Sequence, residues 1–489
     1  MTFTELLARV GSQNGELRVC SDSRLVQRGD VFVAVPGSKV DGFDFIPQAL
    51  AQGAAYIVTE NEHFGGDLSA EWVVVQDASQ ALGSLAQAMY GHPNSKLTNL
   101  AVTGTNGKTT VAYLVRAIMN HAGFKCGMLG TIEYDTGNRI VDAPLTTPDA
   151  LKIAELSRQM VDNGCKFAVM EASSHALEQG RLAGVSFTAA AFTNLTGDHL
   201  DYHKTKAKYL DAKARLFEDL PMHGMAILNR ESDAAHDIAD RIDKRILWYA
   251  TDAKAEIEAD IHSMDATGSV YSLIFSNMKE KVRTPLCGLH NISNQLAAAG
   301  LCFAAGLDIT QVAEGLSSFV CVPGRLEAVR SVPADHAGIR VFVDYAHTDD
   351  ALKNVLDTLR SVCKGRLIVV FGCGGDRDKT KRPRMAQVAE TLADEVVVTS
   401  DNPRTENPEA IIRDICGGFA FPDAPTIHVE PDRAKAIRLA MTLTQRGDLV
   451  LAAGKGHETY QVIGTERIEY SDYEAIMQAA EEVLQDAGR

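Results

Sequence analysis

The chain has no pair of closely spaced cysteines, no long apolar segment and no excess of basic residues, and each absence excludes a class of protein. Its nine cysteines are scattered over 489 residues, which argues against a zinc site, a redox motif and a disulfide scaffold. Acidic residues outnumber basic ones by 64 to 48, for a formal net charge of -16. Proteins that bind nucleic acids or acidic membranes nonspecifically carry the opposite charge. Any anionic substrate must therefore be met by local basic residues.

Residues 1–5 lack the basic start and the apolar stretch of a secretory signal, and no uncharged apolar run is long enough to cross a bilayer. We therefore expect a cytoplasmic protein without membrane insertion and without a nucleic-acid partner. We also expect it to be monomeric. A hydrophobic content of 45% with 23% charged residues is typical of a chain that buries a core. The length predicts about three domains.

What the chain does contain is a phosphate-binding loop at residues 104–110, Gly-Thr-Asn-Gly-Lys-Thr-Thr. The loop follows an apolar run at 100–102 and precedes residues with helical spacing of apolar side chains at 111–119. Glycines let backbone amides converge on an anion, Lys108 supplies a charge and Thr109 supplies a hydroxyl for Mg²⁺. Because only two residues separate the glycines, this is a shortened variant of the general pattern.

Glycine and proline clusters at residues 90–94 and 322–324 divide the chain into three stretches, each with α/β patterning. We predict an α/β fold with three domains. They are a small N-terminal α/β nucleotide-peptide-binding domain (1–91), a central P-loop ATPase-like parallel-sheet domain (92–322) and a C-terminal Rossmann-like domain (323–489).

Polar loops follow the apolar runs of the last two stretches. In the third stretch, four runs end in the loops 344–347, 372–379, 401–404 and 454–458. In the second, Glu171 follows one run, and Asn194 with residues 198–199 follows another. Ligands of parallel α/β sheets bind beyond the carboxyl ends of the strands. The loops of the third stretch therefore predict a binding site, and those of the second predict a site for Mg²⁺ and ATP.

These motifs, in their order and spacing, resemble the motif series of the Mur ligases over nearly the whole chain. The resemblance rests on residues 104–110, 171–175 (Glu-Ala-Ser-Ser-His), 198–201 (Asp-His-Leu-Asp), 290–294, 324–325 (Gly-Arg) and 344–347 (Asp-Tyr-Ala-His). Mur ligases add amino acids to the UDP-N-acetylmuramoyl peptide precursor of peptidoglycan. Residues 375–377, 401–404 and 454–458 resemble those of members that use meso-diaminopimelate.

The resemblance implies an ATP- and Mg²⁺-dependent ligase that joins meso-diaminopimelate to UDP-N-acetylmuramoyl-L-alanyl-D-glutamate through an acyl phosphate. Such a route needs charge clamps and positioning more than a protein nucleophile, and the chain has no Ser or Cys in a nucleophile elbow. The catalytic residues that it implies are Lys108, Glu171, His199 and Lys213, and the metal-binding ones Thr109, Glu171, His199 and Lys213.

The resemblance also assigns the binding residues. Those expected to bind the nucleotide are Gly104, Thr105, Asn106, Gly107, Lys108, Thr109, Thr110, Asn291, Arg325 and Asp344. Those expected to bind the UDP-sugar peptide are Ser21, Ser23, Ser38, Lys39, Val40, Thr146, Thr147, Ser173, Gln179 and Arg181. Those expected to bind the amino acid are Arg377, Asp401, Asn402, Pro403, Arg404, Gly454 and Glu458.

Two of these expectations follow from charge. A diamino acid with a distal zwitterion needs a bidentate donor and a carboxylate, which Arg404 and Glu458 supply. Lys213 matches the position where relatives carry a carbamylated lysine, which converts a cation into a metal-binding anion. An ordinary solvated surface lysine is the alternative. His347 and His457 are candidates for removing the amine proton.

Two other functions remain open at this point. A folylpolyglutamate synthase-type ligase shares the shortened phosphate loop, but is not expected to carry the 401–404 motif or the N-terminal unit. A protein that hydrolyses ATP without joining two substrates belongs to a different class.

The N-terminal substrate residues depart from the family pattern. Mur ligase relatives often have an apolar residue at the position of Ser21 and His-Gln-Ala at the positions of Ser38 to Val40.

Overall fold

The computed structural model describes residues 1–12, 17–37, 40–61, 69–196 and 200–484, and the chain packs as two units. The first unit comprises Met1–Glu258, Leu273–Glu280 and Ser293–Ser318. The second unit comprises Ala259–Ser272, Lys281–Ile292 and Phe319–Arg489.

The N-terminal part of the first unit is a small α/β layer. Its helices and strands are α1 (Phe3–Ser12), β1 (Val19–Cys20), β2 (Val31–Val33), α2 (Ile46–Ala51), β3 (Tyr56–Thr59), β4 (Glu71–Val74) and α3 (Ala78–Met89). The strands form one parallel sheet in the order β1-β2-β3-β4. Side chains of α1 and α3 pack on one face of it, where Val31, Val33 and Leu85 are fully buried. Short 3₁₀ helices occupy Ser23–Leu25, Gly42–Phe45 and Pro93–Lys96.

A longer alternation of strands and helices follows. Its elements are β5 (Thr98–Thr103), α4 (Lys108–His121), β6 (Cys126–Leu129), β7 (Glu133–Asp135), β8 (Ile140–Asp142), α5 (Ala150–Asp162), β9 (Phe167–Glu171), α6 (Ser174–Glu178), β10 (Ala189–Phe192), α7 (Leu200–His203), α8 (Lys206–Glu218), β11 (Met225–Asn229), α9 (Asp233–Ala239), β12 (Arg245–Ala250), β13 (Ile257–Asp265), β14 (Gly268–Phe275), β15 (Met278–Thr284), α10 (Leu289–Ala304) and α11 (Ile309–Ser318).

In the first unit, β5 lies between β9 and β10, and the three strands are parallel. Val102 pairs with Glu171, and Thr103 pairs with Phe192. The carboxyl ends of these strands are therefore neighbours. This register brings together the phosphate loop after β5, the end of β9 and the loop after β10, although they are far apart in sequence.

Parts of β13, β14, β15 and α10 belong to the second unit. So do all the remaining elements. They are β16 (Glu327–Val329), α12 (Val332–Ala337), β17 (Arg340–Asp344), α13 (Asp349–Val362), β18 (Leu367–Phe371), α14 (Lys381–Leu392), β19 (Glu395–Val398), α15 (Pro408–Cys416), β20 (Ile427–Val429), α16 (Arg433–Thr442), β21 (Leu449–Ala453), β22 (Tyr460–Ile463), β23 (Glu466–Glu469) and α17 (Asp472–Leu484).

The main sheet of the second unit has the order β16-β17-β21-β18-β19-β20. All its pairs are parallel except β16 with β17. β18 and β21 are buried along their whole length, as expected for strands covered by helices on both faces. The loops after β17, β21, β18 and β19 emerge at the same edge, so the four polar loops predicted to form a site are neighbours.

The predicted α/β architecture with parallel sheets is confirmed. The four apolar runs of the third stretch are strands β17, β18, β19 and β21, and the helix after the phosphate loop is α4. None of the helices in the described residues is both long enough and apolar enough to cross a membrane.

Candidate functional site

The phosphate loop connects β5 to α4, and its glycines adopt backbone conformations that other residues avoid. Gly104 has φ +149° and Gly107 has φ +90°. A Cβ on Gly104 would collide with Oγ1 of Thr193, and one on Gly107 would collide with Oδ1 of Asn294. The loop therefore needs glycine at both positions. It leads into the N-terminus of a 14-residue helix, and this arrangement of backbone amides and helix end fits a phosphate group.

Two lysines donate hydrogen bonds to the carbonyls of this loop. Lys108 Nζ donates to Gly104 O at 2.9 Å and to Thr105 O at 2.8 Å. Lys213, on α8, donates to Gly104 O at 2.7 Å, and its Nζ lies 4.4 Å from the ring centre of Tyr209. Only 1% of Lys213 is exposed. The alternative that Lys213 is a solvated surface residue is therefore wrong.

Glu171 lies at the end of β9 and is buried. Thr109 donates its hydroxyl to Oε2 of Glu171 at 3.1 Å, and Thr131 donates its hydroxyl to the same atom at 2.9 Å. The amide of Thr131 donates to Oε1 at 2.8 Å. Carboxylate and hydroxyl oxygens are ligands that Mg²⁺ accepts, so these groups fit a magnesium ion.

Thr131 was not predicted from the sequence, because its only signal is its place just after β6. His199, predicted to bind metal, lies outside the described residues. Within the described residues, no group of three or more His, Cys, Asp or Glu side chains is arranged to hold a metal.

Predicted substrate residues surround the end of β9. Thr147 donates its hydroxyl to the carbonyl of Glu171 at 2.6 Å and accepts from the amide of Ser173 at 3.1 Å. Arg181 donates to the carbonyl of Thr147 at 3.1 Å and to Oε1 of Gln179 at 2.7 Å. The structure thus brings these predicted residues together next to the phosphate loop. Another predicted residue is tied to the same group, since the hydroxyls of Thr146 and Thr131 are 3.2 Å apart.

The N-terminal substrate residues differ in exposure. Ser23 is buried and donates its hydroxyl to Oε1 of Gln48 at 2.7 Å, whereas Ser21 and Val40 are exposed. Two other predicted residues lie outside the described part of the chain, namely Ser38 and Lys39.

In the second unit, Asp344 ends β17 and organises the loop around it. It accepts hydrogen bonds from the amides of Leu326 at 2.6 Å and Ala346 at 2.7 Å. Burial raises the pKa of Asp344, and the nearby charge of Arg325 opposes that rise. The guanidinium of Arg325 lies 4.8 Å from the ring centre of Tyr345. These contacts place Arg325 and Asp344, two of the three residues predicted to bind the nucleotide from this unit, side by side.

Two histidines flank the ring of Tyr345, with ring centres 4.7 Å away for His347 and 5.0 Å away for His457. Desolvation by the surrounding protein and the charge of Lys381 lower the pKa of His347, which favours the neutral ring, the form that can accept a proton. Asn291, also in this unit, is buried and donates to the backbone carbonyl four residues earlier.

The loops after β18 and β19 carry five of the seven residues predicted to bind the amino acid, and the loop after β21 carries Gly454 and Glu458. Arg404 has φ +50°, and its guanidinium donates to the carbonyl of Gly375 at 2.8 Å. A Cβ on Gly375 would collide with the carbonyl of Pro403, which shows how closely the two loops pack. Arg377 is exposed and donates to the carbonyl of Asp376.

A buried lysine that sequence reasoning did not assign lies at the centre of this group. Lys455 Nζ is 3.0 Å from Oδ1 of Asn402, 3.1 Å from Oε2 of Glu458 and 3.6 Å from Oδ1 of Asp401. Asn402 also donates to Oε2 of Glu458 at 2.9 Å. The neighbouring Gly454 has φ +118°, and a Cβ there would lie 3.1 Å from Asp401. In the sequence, the signal for Lys455 is that a lysine lies within a glycine-rich loop at a strand end.

Models of three domain families match the chain along most of its length. They are the Mur ligase family, catalytic domain (residues 18–90), the Mur ligase middle domain (102–302) and the Mur ligase, glutamate ligase domain (324–456). A UDP-N-acetylmuramoyl-L-alanyl-D-glutamate–2,6-diaminopimelate ligase of Gloeobacter violaceus is 43% identical over 98% of both chains. The chain belongs to the Mur ligase family.

Two further relatives of this Mur ligase carry the same name. The ligase of Geobacillus thermodenitrificans is 42% identical over 94% of this chain and 93% of its own. A solved structure of a UDP-N-acetylmuramoyl-L-alanyl-D-glutamate–2,6-diaminopimelate ligase is 35% identical, with a TM-score of 0.69 over 95% of this chain and 94% of that one.

Family membership confirms the predicted α/β fold with N-terminal, central and C-terminal Mur ligase domains and the expectation of a ligase. The domain limits 1–91, 92–322 and 323–489 stay predictions, as do the roles of the individual site residues.

Proposed function

We propose that this Mur ligase forms an amide bond between meso-diaminopimelate and UDP-N-acetylmuramoyl-L-alanyl-D-glutamate, with hydrolysis of ATP to ADP and phosphate. The observation that carries the proposal is its similarity, over nearly its full length, to relatives named for this reaction. The reaction serves cytoplasmic synthesis of a peptidoglycan precursor, and hence cell-wall biogenesis, cell shape and cell division. We propose that the enzyme works as a monomer.

In the first unit, the phosphate loop would bind the phosphates of ATP. Lys108 would hold the β- and γ-phosphates, and its present bonds to loop carbonyls keep its ammonium over the loop. Thr109 and Glu171 would hold Mg²⁺, with His199 at a second metal position. When bound, Mg²⁺ neutralises charge that builds up on the phosphoryl oxygens. From the second unit, Asn291 would bind the adenine, Arg325 the phosphates and Asp344 the ribose.

Amide formation needs an activated carboxylate. A carboxylate oxygen of the peptide attacks the γ-phosphorus of ATP, ADP leaves, and an acyl phosphate results. The amine then attacks the acyl carbon, loses a proton and displaces phosphate. Thr146, Thr147, Ser173, Gln179 and Arg181 would orient the peptide, and Ser21, Ser23 and residues 38–40 would bind the uridine diphosphate. Such positioning contributes much of the rate in a reaction without a protein nucleophile.

Lys213 is proposed to carry a carbamate. A bare ammonium at this depth beside the phosphate loop repels metal ions, whereas a carbamate is an anion that binds them. The burial of Lys213 supports a role in the site over a role on the surface.

The second unit is proposed to select the amino acid. Arg404 offers a planar bidentate donor for the distal carboxylate, and Glu458 offers a carboxylate for the distal ammonium, alongside Asp401, Asn402, Pro403 and Gly454. Arg377 would hold the carboxylate at the reacting end. Lysine lacks the distal carboxylate and would leave Arg404 unpaired. His347 or His457 is the proposed acceptor of the amine proton.

Phosphate release by the purified protein tests the proposal. With ATP and Mg²⁺, release should require both UDP-N-acetylmuramoyl-L-alanyl-D-glutamate and meso-diaminopimelate, and the tripeptide product should be visible by mass spectrometry. Release with the nucleotide-peptide alone would point to an ATP-hydrolysing protein. Turnover with tetrahydrofolate and glutamate instead would point to a folylpolyglutamate synthase.

A further inference from the structure

The loops that carry Arg377 and Arg404 are joined to each other by a series of hydrogen bonds. The amide of Gly375 donates to the carbonyl of Asn402 at 2.9 Å, and Arg404 donates back to the carbonyl of Gly375 at 2.8 Å. Thr405 donates to the carboxylate of Asp376 through its amide at 3.1 Å and through its hydroxyl at 2.9 Å. A movement of either loop therefore strains the other.

Glu406 forms the base of this connection. Its carboxylate accepts from the amide of Asp376 at 2.6 Å, from Arg382 Nη2 at 2.9 Å and from Lys379 Nζ at 3.0 Å. The hydrogen bond from Arg382 lowers the pKa of Glu406 the most. With the further hydrogen bonds from Lys379 and from the amide of Asp376, the pKa falls to about 2. Glu406 is therefore a carboxylate at any pH at which the enzyme works. It sits on the loop of Arg404 but binds the loop of Arg377.

Arg382, at the start of α14, is fully buried. Besides Glu406, it donates to Asp414 Oδ2 on α15 at 2.7 Å and to the carbonyl of Gly374 at 3.3 Å. One guanidinium thus ties two helices to both loops. An arginine suits this place because its planar fork donates in several fixed directions, which the single ammonium of lysine does not reproduce.

Both loops contain a non-glycine residue whose backbone lies in the left-handed region. These residues are Asp376, with φ +54°, and Arg404, with φ +50°. Such backbones persist when the surroundings impose them. The backbone of Arg404 is imposed by its amide, which donates to Val462 O, and by its carbonyl, which accepts from Gly464 N. The backbone of Asp376 is imposed by its bonds to Thr405 and Glu406.

We propose that Arg382 and Glu406 are positioning residues that hold the Arg377 loop and the Arg404 loop in one arrangement and so set the affinity for the incoming diamino acid. The proposal rests on the function proposed above, in which the exposed Arg377 and the half-buried Arg404 clamp the two carboxylates of one substrate. A displacement of about 1 Å between two such donors is enough to weaken a bidentate grip.

Glu406→Gln and Arg382→Lys test this role in the full-length enzyme. Glu406→Gln keeps the shape of the side chain and removes its charge. We expect the KM for meso-diaminopimelate to rise about tenfold in each, with KM for ATP and for the nucleotide-peptide within about twofold of wild type. Hydrogen exchange followed by mass spectrometry should be faster in peptides covering residues 374–379 and 402–406.

Arg366→Lys is the matched control. Arg366 also forms ion pairs, with Asp448 and Glu395, but it precedes β18 at the opposite end of the same sheet. It should leave the KM for meso-diaminopimelate unchanged. Thr405→Ala is a second variant that spares the buried arginine, and it should raise the same KM about threefold. It keeps the test decisive if Arg382→Lys fails to fold.

Equal rises in all three KM values, or an unchanged KM for meso-diaminopimelate together with unchanged loop exchange, would overturn the positioning role. A wild-type enzyme that does not turn over meso-diaminopimelate would overturn the proposed function instead. In that case, faster exchange of both loops in Glu406→Gln and not in Arg366→Lys would still support the loop-holding role.

Discussion

The phosphate loop of the first unit and the Arg377 and Arg404 loops of the second unit (the amino-acid loops) all contain left-handed backbone. They differ in the type of residue that adopts it. The phosphate loop uses Gly104 and Gly107, where a side chain would collide with its neighbours. The amino-acid loops use Asp376 and Arg404, whose side chains bond to the neighbouring loop. Backbone amides suffice for a phosphate, which is the same in every ATP-dependent ligase, whereas a particular amino acid must be recognised by side chains.

The difference extends to what supports each loop. Lys108 and Lys213 donate to carbonyls of the phosphate loop itself. The amino-acid loops are instead braced by ion pairs, with Arg382, Glu406 and Lys455 at their base. Variants of the first site should therefore abolish activity through the nucleotide. Variants of the second should act on affinity for the amino acid.

Lys108→Met should give the largest effect, because it removes the charge that we propose stabilises the transferring phosphoryl group. We expect turnover to fall by about 10³-fold while the fold is kept. Steady-state kinetics with saturating substrates, together with circular dichroism, measures both. Lys208→Met, at an exposed position of α8, is the control and should retain wild-type turnover. Comparable losses in both variants would contradict a specific role for Lys108.

Arg404→Ala should raise the KM for meso-diaminopimelate by about 100-fold, because a charge-assisted bidentate contact is lost, and it should leave ATP affinity nearly unchanged. Arg404→Lys keeps the charge but not the planar fork of donors. Its KM for meso-diaminopimelate should therefore lie between those of the alanine variant and wild type. Titrating each substrate separately gives the two constants. Equal effects on ATP and on meso-diaminopimelate would refute the assignment of Arg404 to the amino acid.

Lys213→Arg separates a carbamate from a plain cation in the first site. Wild-type protein equilibrated with ¹³C-labelled bicarbonate should show a carbamate carbon signal in its NMR spectrum, and the variant should lack it. Turnover should fall by about 100-fold because a metal-binding anion is lost. A wild-type spectrum without that signal would contradict carbamylation.

Two ion pairs of the second unit both join α16 to α17, and we expect them to contribute very differently to stability. Arg433 and Asp472 form a bidentate pair at 2.7 Å that is fully buried, whereas Arg438 and Glu482 are 3.4 Å apart and largely exposed. Asp472→Asn should lower the free energy of unfolding by about 3 to 5 kcal/mol, because it leaves a buried cation uncompensated. Glu482→Gln should change it by less than about 0.5 kcal/mol. Urea denaturation measures both, and similar values for the two variants would contradict the argument from burial.

The smallest expected effect is a pH dependence from Glu406. Its pKa is lowered from 4.5 to about 2, so its contribution to stability is present above pH 4.5 and is lost as the pH falls towards 2. The difference in urea midpoint between wild type and Glu406→Gln should therefore shrink over that range. Glu466→Gln, at an exposed position, should show no such trend. A difference that stays constant down to pH 3 would argue against the lowered pKa.

The sequence predicted those parts of the site that depend on neighbouring residues. The phosphate loop and the four strand-end loops are local patterns, and the structure has them where they were expected. The burial of Lys213 could not be predicted, because it depends on packing against a loop 109 residues earlier. The same holds for Arg382 and Glu406, which are 24 residues apart and meet through the order of the strands. Lys455 was overlooked because a lysine in a polar loop is ordinarily exposed.

A competition assay tests the central claim, that the second unit selects a diamino acid with a distal zwitterion. Purified enzyme, ATP, Mg²⁺ and UDP-N-acetylmuramoyl-L-alanyl-D-glutamate are supplied with equal concentrations of meso-diaminopimelate, lysine and ornithine, and the products are resolved by mass spectrometry. The product should contain meso-diaminopimelate in at least about 100-fold excess over the other two. A product mixture dominated by lysine or ornithine would contradict the account.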